Sequence, residues 1–171
     1  MAHYVVDGER STASITAKSN VRPINASTNG LEGFVNIAFD GAGLVDLSTQ
    51  PSGHVSLHVD QLHLGPRMDR ELQKRLDTGR FPSIDCEIVH VESTALPGAY
   101  LVSFDVAWRG ITKRQVHHMT LRCSDSRTMA MEGSATLDIR DFALEPPKML
   151  LVKMEPEVEL RLDLIAVRGE V

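Results

Sequence analysis

Apolar and polar residues alternate with a period of two along most of the chain. Val35, Ile37 and Phe39 alternate with Phe34, Asn36, Ala38 and Asp40, and Val55, Leu57 and Val59 with His54, Ser56, His58 and Asp60. Val102, Phe104, Val106 and Trp108 alternate with Leu101, Ser103, Asp105 and Ala107. Val158, Leu160, Leu162 and Leu164 alternate with Glu157, Glu159, Arg161 and Asp163. Successive side chains of a strand point to opposite faces, so each series predicts a strand with one face on an apolar interior and one on water. Further strands are expected over residues 11–18, 83–92, 116–122 and 129–140. Asp40-Gly41-Ala42-Gly43, Gln50-Pro51-Ser52-Gly53, Ala95-Leu96-Pro97-Gly98 and Arg109-Gly110 supply turn chemistry between them.

About eight strands with short links predict an antiparallel meander that closes on itself, which also removes the exposed edges of so long a sheet. One segment departs from the pattern. Over 66–80, Met68, Leu72 and Leu76 recur every four residues and give one apolar stripe on a helix. Pro66 fits the first helical turn, Glu71 and Arg75 are spaced i,i+4, Gly79 fits the C-terminal stop and Pro82 forbids continuation. The expected fold is therefore all-β: one eight-stranded antiparallel barrel domain over residues 1–171, with one short α-helix at about 66–79.

The length of 171 residues suits one domain, which buries about 70% of its unfolded surface and needs no staples. The 42% hydrophobic and 24% charged content excludes disorder as the main state. The net charge of −5 opposes binding to phosphate backbones, so no nucleic-acid partner is expected. The densest basic cluster, Arg67, Arg70, Lys74, Arg75 and Arg80, is interleaved with Asp69, Glu71 and Asp77 and reads as a solvated helix face. No apolar run approaches the ~20 residues of a membrane-spanning helix. The N-terminus has no basic start followed by an apolar stretch, so the expected address is the cytoplasm with Cys86 and Cys123 reduced.

No chemistry-bearing constellation stands out. His54 and His58 on one strand lie ~13 Å apart, too far to share a zinc ion. His117 and His118 point to opposite faces, and the cysteines form no paired motif, so neither metal nor cofactor is expected. Glu157 and Glu159 belong to the wet side of a strand. No GxSxG elbow occurs, and Gly41-Ala42-Gly43 lacks a third glycine and a following helix. Asn25-Ala26-Ser27 fits a glycosylation pattern that matters only in a secreted protein. Residues 146–156 carry Met149, Leu150 and Met154 between prolines. They read either as a barrel strand with a loop or as a pliable apolar lip at a barrel mouth, with Lys148 and Lys153 placed to meet a headgroup.

Several stretches, in order, resemble the YceI-like polyisoprenoid-binding family across nearly the whole length. They are Tyr4-Val5-Val6-Asp7 with Arg10-Ser11, Leu31-Glu32-Gly33-Phe34-Val35, Met68-Asp69-Arg70-Glu71-Leu72, and Arg80-Phe81-Pro82-Ser83-Ile84. Trp108-Arg109-Gly110-Ile111-Thr112-Lys113-Arg114-Gln115-Val116 is similar to the family's GVTKPV turn with Gln115 in place of proline. Arg140-Asp141-Phe142-Ala143-Leu144 is similar to its DFGL segment with Ala143 in place of glycine, and Arg10 stands where histidine is usual. The resemblance implies a lipocalin-like barrel with an apolar tunnel for an isoprenoid chain, a quinone tail or an acyl chain, and no catalytic residues.

The expected function is thus a non-catalytic carrier of a long-chain apolar lipid, with a homodimer left open. The expected ligand-binding residues are Ile37, Phe39, Val55, Leu57, Val59, Ile84, Val102, Phe104, Val106, Trp108, Leu160 and Leu162 inside, and Met149, Leu150 and Met154 at the mouth. Two other readings stand beside it. One is an enzyme acting on a hydrophobic substrate, which would need a buried polar group converging on the bore. The other is a filled-core barrel working through its surface, favoured if Phe104 and Trp108 plug the interior.

Overall fold

The structure is a computed structural model and describes residues 1–146, 148–149 and 152–169. Its strands are β1 (Ala2–Val6), β2 (Thr12–Ser19), β3 (Ile24–Thr28), β4 (Leu31–Ile37), β5 (Ser52–His58), β6 (Ser83–Ser93), β7 (Ala99–Trp108), β8 (Ile111–Cys123), β9 (Thr128–Asp138), β10 (Lys148–Met149) and β11 (Val152–Arg168). The helix α1 spans Pro66–Leu76, and short 3₁₀ turns occupy Val59–Gln61 and Ile139–Phe142. Eight strands close a circuit in the order β1-β4-β5-β6-β7-β8-β9-β11 and back to β1, every pairing antiparallel. The expected eight-stranded barrel with one short helix is the fold.

The described strand segments number eleven because two barrel strands are broken, adding β2 and β3, and the short β10 pairs with β11 outside the circuit. β1 and β2 pair with successive stretches of β11, as β4 and β3 pair with β1 and β2. At the first break the fully buried Ser11 hydroxyl donates to the Ile165 carbonyl (3.2 Å) and accepts from the Ile165 amide (2.9 Å). Ser11 thus supplies the ladder bonds that the bulged backbone cannot. At the second break Thr28 Oγ1 accepts from the Gly30 amide (2.9 Å) and donates to the His58 carbonyl (3.2 Å).

Beyond the breaks, β3 pairs with β2 on one side and has only a bridge from Ser27 to His63 on the other. α1 covers this end of the barrel, burying Leu72 and Leu76. Its N-terminus is fixed by Asp69, whose carboxylate accepts from the Leu64 (2.6 Å) and Gly65 (3.0 Å) amides. Those two bonds hold the Asp69 carboxyl below its usual range. The Glu71–Arg75 pair forms at 2.9 Å. The helix ends earlier than expected: Asp77, not Gly79, takes the left-handed position (φ 52°). Aspartate tolerates that region better than most side chains, so two stop signals were available and the first one acts.

The opposite end is packed solid. Tyr4, Val35, Ile37, Val45, Val91, Tyr100, Val102, Met129, Leu164 and Ala166 are buried there, with the Val45 amide donating to Tyr100 Oη at 2.9 Å. Residues 152–156, expected either as a barrel strand with a loop or as a pliable apolar lip, are strand. β11 begins at Val152 against β10, and Pro156 lies in the irregularity where its register against β2 shifts between Met154 and Val158. A bulge is where a sheet accepts proline.

Candidate functional site

Side chains along each strand pass from the solid end into two apolar chambers. On β7, Tyr100 and Val102 belong to the solid end, Phe104 and Val106 line a lower chamber, and Trp108 lines an upper one. On β11, running the other way, Val158 lines the upper chamber, Leu160 both, Leu162 the lower, and Leu164 is packed. The upper chamber measures about 70 Å³ and the lower about 60 Å³. Leu137 and Leu160 border both and form the partition between them.

The upper chamber lies beneath α1. Its wall combines Leu72 and Leu76 of the helix, Ile15, Ala17, Ile24 and Ala26 of the β2–β3 hairpin, and Phe142 and Leu144 of the turn after β9. Arg109 holds this roof together. Its guanidinium donates to the Leu76 carbonyl and the Phe142 carbonyl, both at 3.2 Å, and stacks 4.9 Å over the Phe81 ring. Arg109 sits at φ 55° and Gly110 at φ 78°, the pair of left-handed residues that a two-residue hairpin loop requires. Above the roof, Met154 separates the upper chamber from a surface cleft formed with Arg75, Glu145, Pro146 and Lys153.

The lower chamber meets the flank of the barrel. β8 and β9 pair only from Met119↔Gly133 to Cys123↔Met129; the first half of β8 has no pairing with β9. The chamber spans this seam, with half-buried His117 on one lip and exposed Ser134 on the other. Gly133 is needed at the point of divergence, because a Cβ there would lie 2.3 Å from Met119 Sδ and 2.9 Å from the His118 carbonyl. Burial lowers the His117 pKa, and its Nε2 meets Gln115 Oε1 at 2.7 Å. Burial, helped by the neighbouring Asp85 charge, pushes the Cys86 thiol up to about 12. A thiol so placed stays protonated at neutral pH and is a poor nucleophile.

The expected ligand-binding residues divide accordingly. Val55, Leu57, Phe104, Val106 and Leu162 line the lower chamber, Val59, Ile84 and Trp108 the upper, Leu160 both, and Met154 the upper chamber and the cleft. Ile37, Phe39 and Val102 line neither chamber; Ile37 and Val102 are packed at the solid end, and Phe39 stacks edge-on to Tyr4. Leu150 lies outside the described residues, as does the Met149 side chain. Phe104 and Trp108 both face inward yet act as walls, since open volume remains beside each. Sequence reasoning missed His117, Cys86 and the small residues Gly133 and Ala135. The alternation Met129, Met131, Gly133, Ala135, Leu137 along the β9 segment was the signal available for the last two.

Outside the barrel, His54 Nε2 lies 3.2 Å from Ser56 Oγ and 3.3 Å from Asp85 Oδ1, and Ser56 donates directly to Asp85. A nucleophilic triad needs histidine between serine and carboxylate, one ring nitrogen for each. Here one nitrogen faces both, and the serine proton is already committed to the carboxylate. His58 lies between Glu32 (3.0 Å from Nε2) and Asp60 (3.9 Å from Nδ1), while His63, just before α1, meets Asp69 at 3.2 Å and His90 meets Glu92 at 3.2 Å. Among the described residues no three His, Cys, Asp or Glu side chains converge to hold a metal ion.

A family model for the YceI-like domain matches residues 4–166, the full circuit from β1 into β11. The chain belongs to the YceI-like family. No curated protein sequence matches it. Among solved structures, BcnA of Burkholderia cenocepacia superposes with a TM-score of 0.75 at 16% identity, covering 94% of this chain and 98% of that one. A polyisoprenoid binding domain from Saccharophagus degradans, implicated in plant cell wall breakdown, gives 0.74 at 10% identity over 99% and 100%. The Campylobacter jejuni YCEI protein gives 0.65 at 13% identity over 86% of each chain. At these identities the likeness is one of fold. Within this YceI-like barrel the two chambers and their roof are built from the chain's own residues.

Proposed function

We propose that this YceI-like protein binds one long-chain apolar lipid, an isoprenoid, an isoprenoid quinone or a fatty-acyl chain, inside the barrel and carries it without chemical change. The observation that supports this most is the pair of adjoining chambers, walled mainly by apolar side chains and divided by Leu137 and Leu160. Apolar cavities of this kind stay dry, so a guest gains contacts there without displacing bound water. Each buried methylene is worth ~0.8 kcal/mol, so ten carbons contribute roughly 8 kcal/mol. Losses of ~4 kcal/mol or more on association leave a weak to moderate net affinity. A ten-carbon chain is larger than the two chambers as they stand, so it enters only when Leu160 turns aside and the helix roof or the β8–β9 seam parts, a cost set against that gain. The polyisoprenoid-binding description of the Saccharophagus degradans domain is consistent with such a guest.

The enzyme reading rests on polar groups converging on the lower chamber, and His117, Cys86 and Ser134 are present there. Against it, the thiol is held protonated and the His117 ring is engaged by Gln115. Extraction of purified protein with organic solvent, followed by lipid mass spectrometry, tests carriage. The expected result is a lipid class in near-stoichiometric amount and chemically intact. An empty extract, combined with no uptake of added isoprenoid or fatty acid, would overturn the proposal.

A further inference from the structure

Closing a sheet into a barrel removes its free strand edges. This barrel keeps two that face each other. The β8–β9 ladder runs from Cys123↔Met129 only as far as Met119↔Gly133, and beyond it residues 111–118 of β8 and 134–138 of β9 have no pairing with one another. Both stretches stay paired on their far sides, β8 with β7 and β9 with β11, so the gap is part of the fold and not a frayed end. The side chains agree with the backbone. The inward residues Phe104, Val106 and Trp108 of β7 stand opposite Gln115, Lys113 and Ile111 of β8. A closed wall would bury Gln115 and Lys113 among apolar side chains at a desolvation cost. Here Lys113 is exposed, and Gln115 and His117 are half-buried. The inward face of this half of β8 is therefore wet, and the lower chamber lies behind it, between His117 and Ser134.

The guest is larger than the two chambers as they stand, so a wall has to open to admit it. Lifting the roof breaks both Arg109 hydrogen bonds and uncovers Leu72 and Leu76. Parting the seam breaks no ladder bond. We propose that the seam between the first half of β8 and the end of β9 is the entrance, through which a hydrocarbon chain passes sideways into the lower chamber while the roof stays shut. This deepens the lipid-binding reading and rests on it. The opening ends at Gly133, where β9 lies so close to β8 that a Cβ would strike Met119 and the His118 carbonyl. From there the paired stretch 119–123 holds the two strands together.

Continuing the register past Met119↔Gly133 sets Val116 opposite Thr136, and both are exposed. The test places Val116→Cys and Thr136→Cys in a background without the native thiols, Cys86→Ala and Cys123→Ser. A short bis-methanethiosulfonate clips the seam shut, and a reductant reopens it. Uptake and release of cis-parinaric acid, a fluorescent fatty acid, are followed by stopped flow on the same sample clipped and reduced. The clip should slow both association and dissociation about tenfold or more and change Kd by less than about twofold, because a blocked entrance alters rates and leaves the filled state alone. The same clip on Thr120→Cys and Glu132→Cys, in the paired part of the ladder, should leave both rates unchanged. If the gap at 116 and 136 exceeds the reach of the clip, a longer bis-maleimide joins the pair and the unlinked protein is the reference. Uptake that is as fast clipped as reduced would overturn the entrance, place it under the roof and leave lipid carriage standing. Weaker binding with an unchanged association rate would also overturn it, since the seam would then only shape the chamber. Failure of the unclipped protein to take up the probe would overturn the lipid reading and this inference with it.

Discussion

Phe104 and Asp105 are neighbours in sequence and opposites in environment. Phe104 is buried and walls the lower chamber, whereas Asp105 lies outside, paired across the β7–β8 ladder with Arg114. That pairing holds the Asp105 carboxyl below its usual range. Truncating a buried phenylalanine costs about 3–5 kcal/mol. The lower end is expected here, since the ring already borders a void and forfeits contacts on that side. Phe104→Ala should therefore lower the urea midpoint substantially and Asp105→Ala only slightly; equal losses would reverse the assignment of the two faces.

His117 carries a pH dependence of predictable sign. The folded state lowers its pKa by burial, while in the unfolded chain it titrates near ~6.5. Between those values the unfolded chain binds the extra proton, so this contribution is whole above about pH 6.5 and is lost as pH falls toward the folded value. Urea melts at pH 7.5 and 5.5 should show a smaller acid-induced loss for His117→Gln than for the wild type. Matching losses would place His117 in contact with water. Its role was hidden in sequence because Lys113, Arg114, Gln115 and His118 surround it and the stretch reads as a wet strand. The physical reason is that β9 has already parted from β8 there, so that half of β8 has no second strand beside it.

At the scale of elements, legibility tracked how complete the alternation was. β7 is buried at every second residue and could be read with its facing correct. β1 and β3 are five residues each and their breaks are mended by single hydroxyls, Ser11 and Thr28, a device with no periodic signature. The start of β11 stays ambiguous in sequence, between a strand with a loop and a lip, because Pro156 reads as a breaker there, whereas the bulge absorbs it.

Ala143 closes the 3₁₀ turn after β9 with φ 57°, a region where a Cβ is strained. Ala143→Gly should relieve that strain and raise stability by about 0.5–1 kcal/mol after the entropy cost of glycine, readable as a higher melting temperature. An unchanged or lower value would mean that the Ala143 methyl contributes packing that outweighs the strain. The roof makes a second prediction. Arg109→Ala removes the partner of both the Leu76 and the Phe142 carbonyls. Amides over 72–78 and 139–144 should then exchange faster with solvent while those of β5 to β7 keep their protection. Uniform acceleration across the barrel would show that Arg109 stabilises the whole fold and not the roof.

The molecule as a whole is a barrel of two characters. One end is closed by packed tyrosine, methionine and aliphatic side chains; the other is roofed by a helix held on by Arg109 and encloses open apolar volume. Periodicity could establish that an interior exists and which residues face it. It could not establish where the interior is filled, because Val102 and Val106 are alike in pattern and differ only in what lies across the bore. The sole tryptophan stands on the wall of the upper chamber, so energy transfer from Trp108 reports directly on occupancy. Titration with cis-parinaric acid, a fluorescent chain that accepts indole emission, is the most direct measurement. Saturable quenching of Trp108 at one probe per chain, reversed by an unlabelled isoprenoid alcohol or fatty acid, is the predicted result. A probe that binds without quenching Trp108, or does not bind, would contradict a lipid inside the barrel.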